Sequence, residues 1–244
     1  MMQYHIGLKP GDIGKIVLLP GSPGRVKKMA QYLEKPRFVA SNREYTTWAG
    51  TYKGIKIAIM STGIGGPSAA IALEELINIG ADTFIRTGTC GSLQPQIKRG
   101  DCVIATAAVR GSGTTNAYVP TEYPAVADPD LVSALTASAQ MAYVDFHRGI
   151  VHCKDAFFLE DPPKLPLQNC ADEYWKVLEN ANVLASEMES DTLFVIGSVR
   201  KVRVASLLIS LGGKVENNQI TGITDEMLQT LTTIPLNAIA YLRN

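Results

Sequence analysis

The chain has 244 residues, 46% hydrophobic and 19% charged, a balance that fills one large α/β core and excludes an intrinsically disordered protein. Lysine plus arginine and aspartate plus glutamate both number 23, so no net field draws the chain to nucleic acid or a membrane, and any arginine cluster must act locally. No apolar run approaches the roughly 18–20 residues of a membrane span, and the start Met1-Met2-Gln3-Tyr4-His5 lacks a basic-then-apolar leader, which predicts a cytoplasmic protein.

Apolar runs alternate with amphipathic segments from end to end. Ile16–Leu19 predicts a strand, Pro20-Gly21-Ser22-Pro23-Gly24-Arg25 a turn, and about Arg25–Leu33 a helix. Ile55–Ser61 is the next strand and Thr62-Gly63-Ile64-Gly65-Gly66-Pro67-Ser68 the next turn. Pro67 suits the first turn of a helix, where its missing N–H costs nothing. Leu73, Leu76 and Ile77 then give that helix an apolar face at spacings of three and four. Asp82–Arg86 predicts a third strand, running into a third Gly-rich turn, Thr87-Gly88-Thr89-Cys90-Gly91-Ser92.

Later strands are expected at Cys102–Ala105, Gly149–Cys153 and Val202–Ile209. Helices are expected near Asp130–Met141, Glu189–Val199 and Asp225–Leu242, the last kinked or split by Pro235. Pro162, Pro163 and Pro166 make Leu159–Leu167 a loop. Cys90, Cys102, Cys153 and Cys170 form no Cys-x-x-Cys pair and read as reduced, mostly buried thiols. The alternation predicts a single α/β domain over residues 1–244, with a central mixed twisted sheet flanked by helices.

Three strand-to-turn junctions share one design, an apolar strand ending in a Gly-rich turn that leads towards a helix. Without a Cβ, glycines such as Gly21, Gly65, Gly66, Gly88 and Gly91 let backbone N–H groups approach an anion, although each also serves a plain tight turn. Arg25, Arg43 and Arg86 are read as sitting in Gly-rich turns, where guanidinium groups can surround a phosphate; alone, each would more often form a surface ion pair. Ser186-Glu187-Met188-Glu189-Ser190 places two carboxylates just before a helix, able to hold adjacent ribose hydroxyls or to interact with the helix dipole. Ribose plus free phosphate, with no metal motif, points to phosphorolysis of a nucleoside.

These segments carry a family resemblance. Tyr4-His5-Ile6-Gly7-Leu8, Pro20–Val26, Asn42-Arg43-Glu44-Tyr45-Thr46-Thr47-Trp48, Ser61–Ser68, Arg86–Ser92, Pro124-Ala125-Val126-Ala127-Asp128 and Glu187–Ser190 recur in order over nearly the whole chain. Together they resemble the hexameric-type nucleoside phosphorylases, most closely the uridine phosphorylases. The resemblance implies that Gly21, Arg25, Arg86 and Thr89 bind phosphate and that Arg43 is lent to a neighbouring subunit's phosphate. It implies that Glu189, Met188 and Glu187 hold the ribose, that His5 reaches a neighbour's sugar, and that Phe157 and Gly91 adjoin the base. Glu44, Ile64 and Ser68 match positions that bind a monovalent cation, such as potassium, between subunits. A homo-oligomer of dimers or hexamers follows, with inorganic phosphate as co-substrate and no organic cofactor, nucleic-acid partner or membrane partner.

The base pocket departs from the family pattern. After Asp155-Ala156-Phe157 come Phe158-Leu159-Glu160-Asp161-Pro162-Pro163-Lys164, without the glutamine and arginine that read uracil in typical uridine phosphorylases. Ser210-Leu211-Gly212-Gly213 also lacks the aspartate that purine-active relatives place there. The nearest polar residues are Lys154, Glu160, Asp161 and Lys164. A lysine ammonium suits negative charge developing on a departing uracil carbonyl, so Lys154 is expected to contact a pyrimidine, with a plain surface lysine as the alternative. The competing functions are purine nucleoside phosphorylase, a nucleosidase that uses water, and a non-catalytic nucleoside-binding relative.

Overall fold

In the computed structural model, residues 1–159, 168–213 and 222–242 are described, and among them ten strands form one mixed sheet. The first half runs β1 (Ile16–Leu19), α1 (Pro23–Ala30), β2 (Glu34–Asn42), β3 (Tyr45–Tyr52), β4 (Ile55–Met60), α2 (Gly66–Asn78) and β5 (Thr83–Ser92). The second half runs β6 (Cys102–Gly111), β7 (Ala125–Val126), α3 (Pro129–Met141), β8 (Phe146–Lys154) and α4 (Gln168–Asn180). It closes with β9 (Ala185–Glu187), α5 (Ser190–Arg200), β10 (Arg203–Ser210) and α6 (Asp225–Tyr241).

Strand β5 is the hub of the sheet. Its first residues, Thr83–Arg86, are paired in parallel with β1 on one side and β10 on the other. The order then continues through β1 to β4, β3 and β2, while β9, β8, β6 and β10 form a circuit that returns to β5. Strand β1 ends with Leu19 opposite Arg86, and beyond that point β5 continues beside β10 and then β9. The turns that leave β1 and β4 therefore face the continuing edge of β5. They are joined to each other, since Thr62 N–H donates to the Pro20 carbonyl and Gly63 N–H to the Gly21 carbonyl, at 2.9 and 3.0 Å. A crevice where one strand stops and its neighbour runs on is where open α/β sheets bind ligands.

Several expectations are corrected. Thr87–Ser92 is no turn but the second half of β5, with Thr87–Cys90 in register with Leu207–Ser210. Helix α6 is not split at Pro235; it stays one helix through Tyr241, with Pro235 buried. It packs on α3, and Ser138 Oγ donates to the Ile234 carbonyl at 2.9 Å, tying the helix to its neighbour beside the proline. The hairpin β2–β3, helix α4 and the short β9 had no counterpart in the sequence reading. The expected proline loop, with Glu160, Asp161 and Lys164, lies outside the described residues apart from the backbone of Leu159.

Elsewhere the reading of the elements holds. Ile16–Leu19 is a fully buried strand, Pro67 opens α2, and Leu73 and Leu76 are buried, with Ile77 packed at the core's edge. Cys90, Cys102 and Cys153 are buried, Cys170 is exposed, and none of the four is in a disulfide. Among the described residues no helix is long and apolar enough to cross a membrane.

Candidate active site

Glu187, the last residue of β9, and Glu189, at the start of α5, meet around Arg86 of β5. The guanidinium, 4% exposed, lies with Nε 2.7 Å from Glu187 Oε2 and pairs through Nη2 with Glu189 Oε2. Its Nη1 is buried without a protein partner, as is the hydroxyl of the adjacent Thr87. A buried donor on a permanent cation is an expensive group to leave without an acceptor, which marks this atom as facing a ligand position. Gly88 makes the geometry possible: a Cβ there would stand 2.7 Å from Arg86 Nη2.

The two glutamates are held differently. Glu187 Oε1 accepts from the backbone N–H groups of Glu189 and Ser190 and from the Cys153 thiol, at 2.9, 2.7 and 2.6 Å. Burial opposes its ionisation, but Arg86 and these donors prevail and hold its carboxyl below the ordinary value. Glu189 Oε1 accepts from Gly65 N–H at 2.5 Å. Gly65 has φ +88°, a conformation that aims its N–H at the carboxylate and that other residues rarely adopt. With fewer donors, Glu189 is pushed up to about 7, first by burial and then by Glu187, against the pull of Arg86.

Arg25 lies in the first turn of α1, partly buried; burial and the charge of Arg86 both lower its pKa. Two guanidinium groups close enough to oppose each other's charge favour an anion between them. Gly21, Thr89 and Gly91 are partly buried on the turn after β1 and on the far half of β5, and Gly91 is in register with Ser186. Met188 lies between the two glutamates, also partly buried.

A second cluster covers the other face of the β8–β9 pair. Cys153 and Glu187 meet on one face, so the alternation of strands sends His152, Lys154 and Ser186 to the opposite one. Lys154 is 6% exposed and donates to Ser186 Oγ at 3.0 Å. Its ammonium stands 5.8 Å from the Phe157 ring centroid and 6.0 Å from that of Trp175, within cation–π range. His152 is buried against Tyr174 and Trp175 of α4, edge to face. Burial first, then Lys154, lowers its pKa to about 4, so the ring is neutral near pH 7. Sequence reasoning missed His152, Tyr174, Trp175 and Ser186, because their relation depends on β9 and α4.

His5, Arg43, Glu44, Ile64 and Ser68 fall outside both clusters. His5 Nδ1 is 2.7 Å from Glu75 Oε1, and Asn42 Nδ2 donates to the His5 carbonyl at 2.7 Å, so His5 is tied beside the β2–β3 hairpin. Arg43 occupies that hairpin's turn at φ +52°, exposed. Ser68 Oγ lies 2.8 Å from Glu44 Oε1, while Ile64 is 77% exposed. The backbone and Ser68 hold Glu44 ionised, its pKa below the ordinary value. Among the described residues no cluster of three or more His, Cys, Asp or Glu side chains has metal-ligand geometry.

The sequence profile described as the phosphorylase superfamily matches residues 15–234. The chain is 47% identical over 218 residues to a uridine phosphorylase of Treponema pallidum, covering 89% of this chain and 84% of that one. It is 45% identical to a uridine phosphorylase of Thermococcus kodakarensis, with 88% and 79% covered. It is also similar to a guanosine phosphorylase of Halorubrum lacusprofundi, 38% identical over 98% of this chain and 99% of that one.

Proposed function

From the premise that the chain belongs to the phosphorylase superfamily, we propose that it cleaves a nucleoside, uridine above others, with inorganic phosphate, releasing free base and ribose 1-phosphate. The observation that carries this reading is the buried, unpartnered Nη1 of Arg86 beside Arg25, in a crevice that also holds a carboxylate suited to a sugar.

Phosphate is held by Arg86 and Arg25, with Gly21 and Thr89 contributing from the turn after β1 and from β5. Positioning the dianion beneath the sugar converts a bimolecular attack into an intramolecular one. A phosphate oxygen forms the new bond to C1′ as the glycosidic C–N bond breaks, and the electron pair leaves with the base. Glu189 accepts from the ribose hydroxyls, with Met188 against the sugar, and its negative charge stabilises the oxocarbenium character of the transition state. Glu187 orients Arg86 from behind. Lys154 takes the negative charge that develops on the base carbonyl, and Phe157 lies alongside the base, supported by the 5.8 Å contact between their groups.

The reading extends to a cytoplasmic homo-oligomer working in pyrimidine salvage, in which His5 and Arg43 complete a neighbour's site. The support is that both sit on one surface at the β2–β3 hairpin, apart from the Arg86 cluster. Glu44 and Ser68, with the carbonyl of Ile64, would hold a potassium ion at the same surface.

A second reading, purine nucleoside phosphorolysis, is favoured by the guanosine phosphorylase likeness over 98% of the chain. Against it, Ser210-Leu211-Gly212 at the end of β10 carries no acid for the purine ring. Product formation from uridine, thymidine and inosine, each with and without phosphate, separates the readings. Phosphate-dependent uracil release is expected; hypoxanthine release alone would establish the purine reading, and release without phosphate would mean a hydrolase.

A further inference from the structure

We propose that Ser186 and His152 are positioning residues that fix the Lys154 ammonium through a hydrogen-bond chain. The inference rests on the reading of Lys154 as the base contact and gives that contact its supporting structure. Ser186 Oγ is the shared atom, 3.0 Å from Lys154 Nζ and 3.2 Å from His152 Nδ1. An ammonium only donates, so Ser186 accepts from Nζ and keeps one proton and one lone pair for the contact with His152 Nδ1. Burial and the neighbouring ammonium keep the ring neutral. Either neutral tautomer closes the chain, Nδ1 accepting from the serine hydroxyl or Nδ1–H donating to its second lone pair. Lysine and histidine are therefore joined through the one serine oxygen.

Three further features hold it in place. His152 and Ser186 are register partners on adjacent strands, so the sheet sets their separation. Trp175 and Tyr174 stand edge-on to the imidazole with ring centroids at 5.0 and 5.6 Å. Gly111 on β6 leaves room for the far side of the ring, since a Cβ there would be 2.6 Å from Nε2. A lysine side chain in solution has four free torsions; a fixed one meets developing charge without reorganising. His152 and Ser186 point away from the Arg86 face of the strand pair, so their effect belongs to the base and not to phosphate or sugar.

The test compares uridine with 4-nitrophenyl β-D-riboside, whose phenolate leaves without help from an ammonium. Ser186→Ala and His152→Leu are expected to lower kcat for uridine about tenfold while changing the nitrophenyl riboside less than about twofold, with the KM for phosphate unchanged. His152→Asn, whose amide can donate or accept near the Nδ1 position, and Ser186→Thr are expected to recover most of the uridine rate. Equal losses on both substrates would show a structural role only and overturn the proposal, as would unchanged uridine turnover. If Lys154→Met slows uridine and Ser186→Ala does not, the positioning chain alone is wrong. If Lys154→Met changes nothing while phosphate-dependent cleavage persists, the base-contact reading is wrong and the chain goes with it.

Discussion

The Arg86 cluster and the Lys154 cluster occupy opposite faces of the β8–β9 pair, and they are held by different interactions. Around Arg86, opposite charges and backbone N–H groups hold the two carboxylates and one side of the guanidinium, and the residues come from strands and strand ends of the sheet. Around Lys154, a hydroxyl and two aromatic rings are among the groups that hold the cation, and part of the wall comes from α4. The first arrangement suits a reactant common to every turnover, a phosphate dianion and a ribose. The second suits a partner that differs from one family member to the next. A site that hydrogen-bonds its base through fixed groups discriminates strongly, whereas rings and one ammonium recognise mainly a carbonyl and a flat face.

Breaking the Arg86 cluster has the largest expected effect. Arg86→Met leaves two buried carboxylates facing each other, which should cost about 3–5 kcal/mol of stability and lower phosphorolysis by about 10³-fold or more. Thermal unfolding and turnover measured together check both halves. Retained turnover would mean that Arg86 only neutralises its glutamates.

Glu189→Gln should reduce kcat by about 10²–10³-fold with the fold intact, because the sugar loses its anionic partner. It should also change the response to pH. The raised pKa means that the Glu189 contribution to stability is fully present below its ordinary value of 4.5 and is lost as pH rises through about 7. Wild-type activity should rise through the same region as the carboxyl ionises, and Glu189→Gln should flatten that rise.

The Lys154 face has the opposite sign. His152 titrates at about 4 when folded against an ordinary value of 6.5, so its contribution is present above 6.5 and is lost as pH falls towards 4. Its size is on the order of 3 kcal/mol. Between 4.5 and 6.5 the two groups partly cancel, so Glu189→Gln should steepen acid destabilisation and His152→Leu should relieve it. Chemical denaturation at a series of pH values would show this, and parallel curves for both variants would contradict it.

The smallest effect is expected from Lys154→Met, a loss of about tenfold in kcat/KM for uridine with the KM for phosphate unchanged. A loss confined to phosphate affinity would place Lys154 with the other cluster.

The two clusters were also unequally legible in the sequence. Arg86, Glu187 and Glu189 stand in short contiguous motifs, and β1, α2 and α5 announce themselves by apolar runs, proline and spacing. The Gly-rich stretch Thr87–Ser92 misled because glycine suggests a turn; in β5, Gly88 makes room for a guanidinium instead. The Lys154 cluster is assembled from three strand residues and one helix. Ala185–Glu187 is too short for a periodic signal, so Ser186 had no assigned strand or partner. Helix α4 did carry a signal, since Ala171, Trp175 and Leu178 recur at spacings of four and three and pack together. Strand β2 gave less, because its residues are mostly exposed and include Pro36 on an edge.

In the proposed reaction, phosphate is the attacking group. Phosphorus NMR of the protein with uridine and inorganic phosphate tests this directly, with uracil followed in the same sample. A ribose 1-phosphate resonance growing in step with uracil is the predicted result. Uracil accompanied by free ribose, or released equally without phosphate, would contradict it.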